Sequence, residues 1–240
     1  MDHSKKHIVI LNSKDRLASS ISATDADFKL PNDLQQSHHV QLKEISFTNL
    51  MYNISSKNNV LNYDFGGVQK TITVPAGYYE VTTLTTTLNS LQTDLVFTAN
   101  NITKKYDVTS ASPSFILLTG SINNVIGFTT LQTAATSFSG NQPFNLIRTK
   151  YIHFLTENLA DSDAVLSSNG KRYGIIASLP VTLPYGYLIT RSEDKDSSDE
   201  SIMSAHINLN LVNVKIVDDN YEVIDNNSGE WILALSVYRR

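Results

Sequence analysis

Carboxylates are the residues whose types and spacing come closest to a catalytic pattern. Asp161 with Asp163, and Asp218 with Asp219, could act as paired acids in glycoside hydrolysis, which needs two carboxyl groups beside one bond. Each pair lies in a polar cluster typical of turns, where Asp is common because its side chain hydrogen-bonds to nearby backbone. The acidic run 193–200 lacks the spacing and central Gly of a calcium loop. We interpret all of these as solvated loops.

Other chemical motifs are missing as well. No His-x-His pair occurs, which counts against a metal-dependent β-sandwich enzyme of the cupin type. The chain has neither a nucleophile elbow nor a phosphate-binding glycine loop, and it has no cysteine for thiolate chemistry or disulfides. We therefore predict a protein that is not an enzyme, with no catalytic residue, no metal and no cofactor.

Composition and length further limit the classes of protein to which the chain could belong. The chain has 240 residues, a net charge of −4 and only 18% charged residues, so we expect no specific nucleic-acid binding. No apolar run approaches the roughly 18 residues of a membrane span. The apolar run 7–11 is too short for the core of a signal peptide, so we expect none. The length suits a single domain.

The segment 71–91, TITVPAGYYEVTTLTTTLNSL, changes its hydrophobic period partway along. It begins as a β-branched strand that Pro75 interrupts, and Gly77 then gives the backbone freedom to turn. After Glu80, apolar residues three or four apart predict one buried helix stripe. The stripe consists of Val81, Leu84, Leu88 and Leu91. We predict that it docks this helix on a sheet edge or face of an otherwise β protein.

Most of the remaining chain predicts β-strands. Alternating apolar residues bounded by turn signals place strands at 7–13, 28–30, 38–50, 59–65, 68–74, 95–99, 104–108, 115–118, 151–156, 174–180, 185–190, 207–218 and 231–238. Gly66-Gly67 suits a two-residue hairpin turn with positive φ. Gly127 is placed to end a short helical turn over 122–128 in a left-handed conformation. The segment 131–143 is interpreted as a surface loop.

The order of these features resembles a family. The segments are an INSxxR-like stretch over 10–16, EISF over 44–47, ITVPAGYYEVTTLTTTLN over 72–89, VIGF over 125–128 and the closing strands over 207–225 and 231–239. Together they are similar to the penton or minor capsid proteins of virophages, polinton-like viruses and related double-stranded DNA viruses. Ile126 stands where Leu is more usual in that family.

This resemblance implies an all-β fold: a single jelly-roll β-sandwich of about eight strands, spanning residues 1–240, with a helix-plus-hairpin insertion at about 79–128. It implies a structural virion protein that forms homopentamers at icosahedral vertices. Its partners would be the major capsid protein capsomers and other minor capsid proteins. The expected location is the virion capsid, assembled inside the host cell.

A second hypothesis is a carbohydrate-binding or host-attachment module of a virion. In that case loops rich in aromatic and acidic residues would hold a sugar, and the candidate contacts are Asp161, Asp163, Tyr185 and Tyr187. Binding to a glycan array, lost when these loops are mutated, would distinguish this hypothesis from the capsid hypothesis.

Overall fold

The computed structural model describes residues 5–30, 37–130, 132–156, 174–192, 201–202 and 211–239. Its chain divides into two compact units. Unit 1 comprises Met1–Met51 with Thr149–Arg240, and unit 2 comprises Tyr52–Arg148.

The described elements are mainly strands. In chain order they are β1 (Lys5–Asn12), β2 (Asp25–Lys29), β3 (Ser37–Thr48), β4 (Val60–Phe65), β5 (Val68–Thr73), α1 (Val81–Ser90), β6 (Val96–Asn100), β7 (Lys105–Thr109), β8 (Phe115–Leu117), α2 (Asn123–Ile126), β9 (Ser137–Ser139), β10 (Tyr151–Leu155), β11 (Ile175–Pro180), β12 (Leu188–Ser192), β13 (Ser201–Ile202), β14 (Leu211–Val217) and β15 (Trp231–Arg239). Neither helix is long and apolar enough to cross a membrane.

Eight main strands of unit 1 form two antiparallel sheets. The first sheet has the order β1-β15-β3-β12, with the short β13 also paired to β3, and the second has the order β11-β10-β14-β2. Counted along unit 1 without β13, the first strand therefore pairs with the eighth, the second with the seventh, the third with the sixth and the fourth with the fifth. This nested pairing is the topology of a jelly roll. The predicted all-β jelly-roll sandwich is confirmed.

Aromatic side chains join the two sheets of unit 1. Trp231 of the first sheet is 1% exposed, and its ring meets Phe28 and Phe154 of the second sheet edge-on at centroid distances of 5.6 and 5.9 Å. Its indole Nε1 donates a hydrogen bond of 2.6 Å to the carbonyl of Ala23, so the polar end of this buried ring is satisfied. Trp231 therefore lies at the centre of the sandwich core.

Unit 2 has its own apolar core. Its strands form two three-stranded sheets, with the orders β5-β4-β8 and β6-β7-β9. Leu84 and Leu88 of α1 lie in the same cluster as side chains from both sheets, including Tyr63 and Tyr106. The helix is thus held by packing, as its unfavourable threonines require.

Two predicted turns are confirmed. Gly66 and Gly67 join β4 to β5 with φ values of 61° and 87°, a pair of positive angles that glycine adopts without steric cost. Gly127 caps α2 in the left-handed region, with φ 83°.

One prediction about a loop is wrong. The segment 131–143 contains β9, which pairs with β7 through Ser139 and Asp107. Its Ser and Thr residues are common in loops, but Phe138 packs edge-on against Phe115 at 4.9 Å and anchors the strand to the core. Tertiary packing therefore decides the structure of this segment.

The predicted insertion 79–128 lies inside unit 2, which begins earlier and ends later in the sequence. Unit 2 occupies the chain between the third and fourth jelly-roll strands, β3 and β10. The description of residues 1–240 as one domain stays a prediction.

Candidate functional site

Strand β1 is apolar on both of its faces. Val9 and Leu11 point into the core and are 9% and 2% exposed, whereas Ile8 and Ile10 point outward and are 53% and 63% exposed. An antiparallel strand with one solvated face normally alternates between apolar and polar residues. The outward isoleucines are therefore not explained by the core of unit 1.

The outward apolar residues continue across the first sheet. Ile10 lies opposite Ala234, and Ile232 lies opposite Asn12 on one side and Ser46 on the other. Leu188 of β12 also points outward and is 53% exposed. We call this surface the apolar face, defined by Ile8, Ile10, Leu188 and Ile232.

Charged groups lie around the apolar face more than within it. Lys6 at one end extends its ammonium over the ring of Tyr238, at 5.5 Å from the centroid. Glu44 lies opposite Ala234, and the exposed pair Lys14 and Glu230 forms an ion pair at 2.7 Å. Glu44 is exposed on β3, between β15 and β12, so one charge lies within the sheet face and the others lie at its ends.

Strand β1 is also an edge strand. It stands at the end of the first sheet and pairs only with β15 among the described strands. Within the described ranges, the outer edge of β1 has no strand paired to it and carries exposed isoleucines, and natural proteins usually cover such edges. This combination makes the β1 side of the apolar face the best candidate contact surface of unit 1.

The loop before β12 carries two of the residues predicted to touch a sugar. Tyr187 is 59% exposed and Tyr185 is partly buried, and Gly186 between them has φ 86°. Asn49 holds this loop, because its backbone carbonyl accepts from Gly186 N and its side-chain Nδ2 donates to the carbonyl of Leu183. The loop is therefore fixed to β3, and it adjoins Leu188 of the apolar face.

The other two predicted contacts, Asp161 and Asp163, lie outside the described residues. The structure consequently does not test whether they approach Tyr185 and Tyr187. The glycan site predicted from these loops stays a prediction.

The predicted stripe of α1 is only partly buried. Leu84 and Leu88 are 0% exposed, and Val81 is partly buried against the same cluster. Leu91 differs: it is 41% exposed, because the helix ends at Ser90 and Leu91 caps it from outside the core. The buried part of the stripe packs within unit 2.

Polar contacts fix the helix in place. Glu80 N donates to Thr83 Oγ1 at 2.9 Å, which satisfies an amide at the helix start. The side chain of Asn89 accepts a hydrogen bond from Phe97 N and donates one to Phe97 O. These two bonds join α1 to the backbone of β6. Thr85 Oγ1 lies 3.0 Å from the hydroxyl of Tyr106.

The roles of Pro75 and Gly77 in the turn before the helix stay predictions, and the structure gives the contacts of both residues. Gly77 does not have positive φ; it forms an antiparallel bridge with Ile54. A Cβ on Gly77 would lie 3.2 Å from the ring of Tyr79, a tight contact that a shift of the ring by a few tenths of an ångström would relieve. Pro75 is exposed, and its carbonyl accepts from the Tyr79 hydroxyl at 2.9 Å.

A charged cluster in unit 2 has a structural role. Asp94 Oδ2 accepts from Lys70 Nζ at 2.6 Å and from the Tyr63 hydroxyl at 2.8 Å. The hydrogen bonds from Lys70 and Tyr63 lower the pKa of Asp94. Burial, with the hydrogen bond to Asp94, raises the pKa of Tyr63. The cluster joins β4, β5 and the loop before β6, and it contains no nucleophile paired with a base.

Metal ligands do not converge in the described part of the chain. No group of three or more His, Cys, Asp or Glu residues there could hold a metal ion.

The chain is similar to known proteins in structure and not in sequence. No protein-family model matches the sequence, and no curated protein matches it. The structure is similar to the crystal structure of the selenomethionine-labelled mavirus penton protein, with a TM-score of 0.50 and 11% sequence identity. The match covers 97% of this chain and 99% of that chain. At this identity the likeness concerns the fold alone, and it agrees with the all-β jelly roll described above.

Proposed function

We propose that the protein is a structural virion protein: a penton-type capsid protein that forms homopentamers at icosahedral vertices. The observation that supports this proposal is the apolar face on a jelly roll whose fold is similar to that of a penton protein over 97% of the chain. The proposed location is the virion capsid. The proposed partners are other copies of this chain, the major capsid protein capsomers around the vertex and other minor capsid proteins.

Such a protein functions through the contacts that arrange its subunits in a ring. Subunits in a ring contact each other through two different surfaces, and the ring closes when the rotation between neighbours divides a full turn. A flat sheet face can serve as one of the two surfaces. Covering Ile8, Ile10, Ile232 and Leu188 against a neighbour would remove apolar area from water at roughly 25 cal/mol per Å².

The apolar face supplies the direct test. Ile10→Glu places a charge beside Ile8 on the edge strand of the apolar face, where a neighbour would have to desolvate it. Because Ile10 is 63% exposed, the subunit should still fold. We expect size-exclusion chromatography with light scattering to show a smaller oligomer for Ile10→Glu than for the unmodified protein at every concentration.

Ile21→Glu is the matched control. Ile21 is 85% exposed in unit 1 but lies in the loop before β2, away from the apolar face. It should leave the oligomer unchanged. Equal oligomers for Ile10→Glu and for the unmodified protein would exclude the apolar face as a subunit contact.

A further inference from the structure

Three aromatic rings stack on the outer face of the second sheet in unit 1. Tyr151 and His153 lie two residues apart on β10, so their side chains share one face. Their rings are 12° from parallel with centroids 6.4 Å apart. Tyr221, in the turn after β14, also stacks on His153, at 5.3 Å and 5°. Tyr151 is 48% exposed, so this aromatic stack reaches the surface.

Hydrogen bonds hold the aromatic stack in place. Nδ1 of His153 lies 2.7 Å from Ser178 Oγ on the neighbouring strand. The two carboxylate oxygens of Asp219 accept from the backbone amides of Lys150 and Tyr151, at 2.7 and 2.9 Å. A rigid carboxylate therefore lies beside the backbone of Tyr151. A surface ordered in this way loses little conformational entropy when it binds a ligand.

The backbone of Tyr221 is unfavourable for a tyrosine. Its φ of 60° lies in the left-handed region, which aromatic residues rarely occupy. The turn is imposed by Asp218, whose Oδ1 accepts from Asn220 N and Glu222 N. Glycine would make the same turn without strain. Strained residues that are held by their surroundings are common in functional sites. The presence of a tyrosine at a position that suits glycine therefore indicates that its side chain has a role.

We propose that the aromatic stack binds a neutral carbohydrate. Exposed tyrosine rings can pack against the apolar C–H face of a sugar, and a fixed carboxylate accepts hydrogen bonds from its hydroxyls. Asp218, Asp219 and Glu222 give the surroundings a negative charge that repels an anionic sugar. The residues of this stack differ from Tyr185 and Tyr187, whose loop begins after Pro180, the partner of Tyr151 on β11, and the proposal does not depend on capsid assembly.

A glycan array probed with the whole protein provides the test, followed by calorimetric titration of the best-bound neutral glycan. Tyr151→Ala should weaken binding about tenfold, the effect of losing one stacked ring. Tyr221→Gly should weaken binding by about as much while changing the melting temperature little, because relief of the positive φ offsets part of the stability lost with the stacked ring. Loss of binding then cannot be attributed to unfolding.

Tyr187→Ala is the control, since this exposed tyrosine belongs to the other candidate loop. Unchanged affinity in Tyr187→Ala, with weaker binding in both stack variants, supports the proposal. Three results would overturn it: binding to no neutral glycan, binding to sialylated glycans alone, or affinity that depends on Tyr187 and not on Tyr151 and Tyr221.

Discussion

Leucine truncations along α1 should have unequal effects on the stability of unit 2. Leu84 is fully buried, and Leu84→Ala removes three carbon atoms from the core. At about 0.8 kcal/mol for each buried methylene this amounts to roughly 2.4 kcal/mol, and the cavity left behind raises the expected cost to about 3–4 kcal/mol. Leu91 belongs to the same sequence stripe but is 41% exposed, so Leu91→Ala should cost about 1 kcal/mol or less.

Hydrogen exchange followed by mass spectrometry measures the loss of stability in each unit of the two variants separately. In Leu84→Ala, amides of β4, β6 and β7 should exchange about 100-fold faster or more, because exchange through unfolding scales with the opening equilibrium. Urea denaturation of both variants gives the matching free energies. Equal losses of stability in Leu84→Ala and Leu91→Ala would refute the packing of α1 described above.

Two further predictions concern protonation and backbone conformation. Burial lowers the pKa of His153 below its usual 6.5, although Asp219 and Asp218 raise it. The unfolded chain therefore binds a proton at His153 more readily than the folded chain, so the free energy of unfolding should fall as the pH drops below 6.5. In denaturation curves measured from pH 7.5 to 5, His153→Phe should reduce this dependence on pH. Gly127→Ala should destabilise unit 2 more than Gly67→Ala in thermal melts. Both glycines have positive φ, but only at Gly127 would a Cβ collide with the backbone, at the carbonyl of Gln142.

The strands could be predicted from sequence because their signals are local. Alternating apolar residues, and glycine pairs such as Gly66-Gly67, specify strands and a hairpin turn without reference to the rest of the chain. The nested pairing of β1 with β15 joins residues more than two hundred positions apart, which no local pattern encodes. It was expected only from the resemblance to capsid proteins, and the structure confirms the fold.

The prediction was wrong where tertiary contacts decide whether a side chain is buried. Leu91 matches the helical spacing, but the helix ends one residue before it and leaves it in solvent. The sequence gives the residue type at position 91, but it does not give the end of the helix or the contacts that decide whether the side chain is buried.

The apolar face was missed although the sequence carries its signal. Ile8, Val9, Ile10 and Leu11 are consecutive, and a strand of a sandwich has only one side in the core. Two of the four must therefore face outward. The aromatic stack gave no such signal, because Tyr151 and Tyr221 are brought together only by the pairing of β10 with β14.

Direct imaging of the purified protein tests the central proposal most directly. Negative-stain electron microscopy at high protein concentration should show closed rings with fivefold symmetry, and Ile10→Glu should remove them while Ile21→Glu keeps them. A protein that stays strictly monomeric and binds no other capsid protein would contradict the proposed role at the capsid vertex.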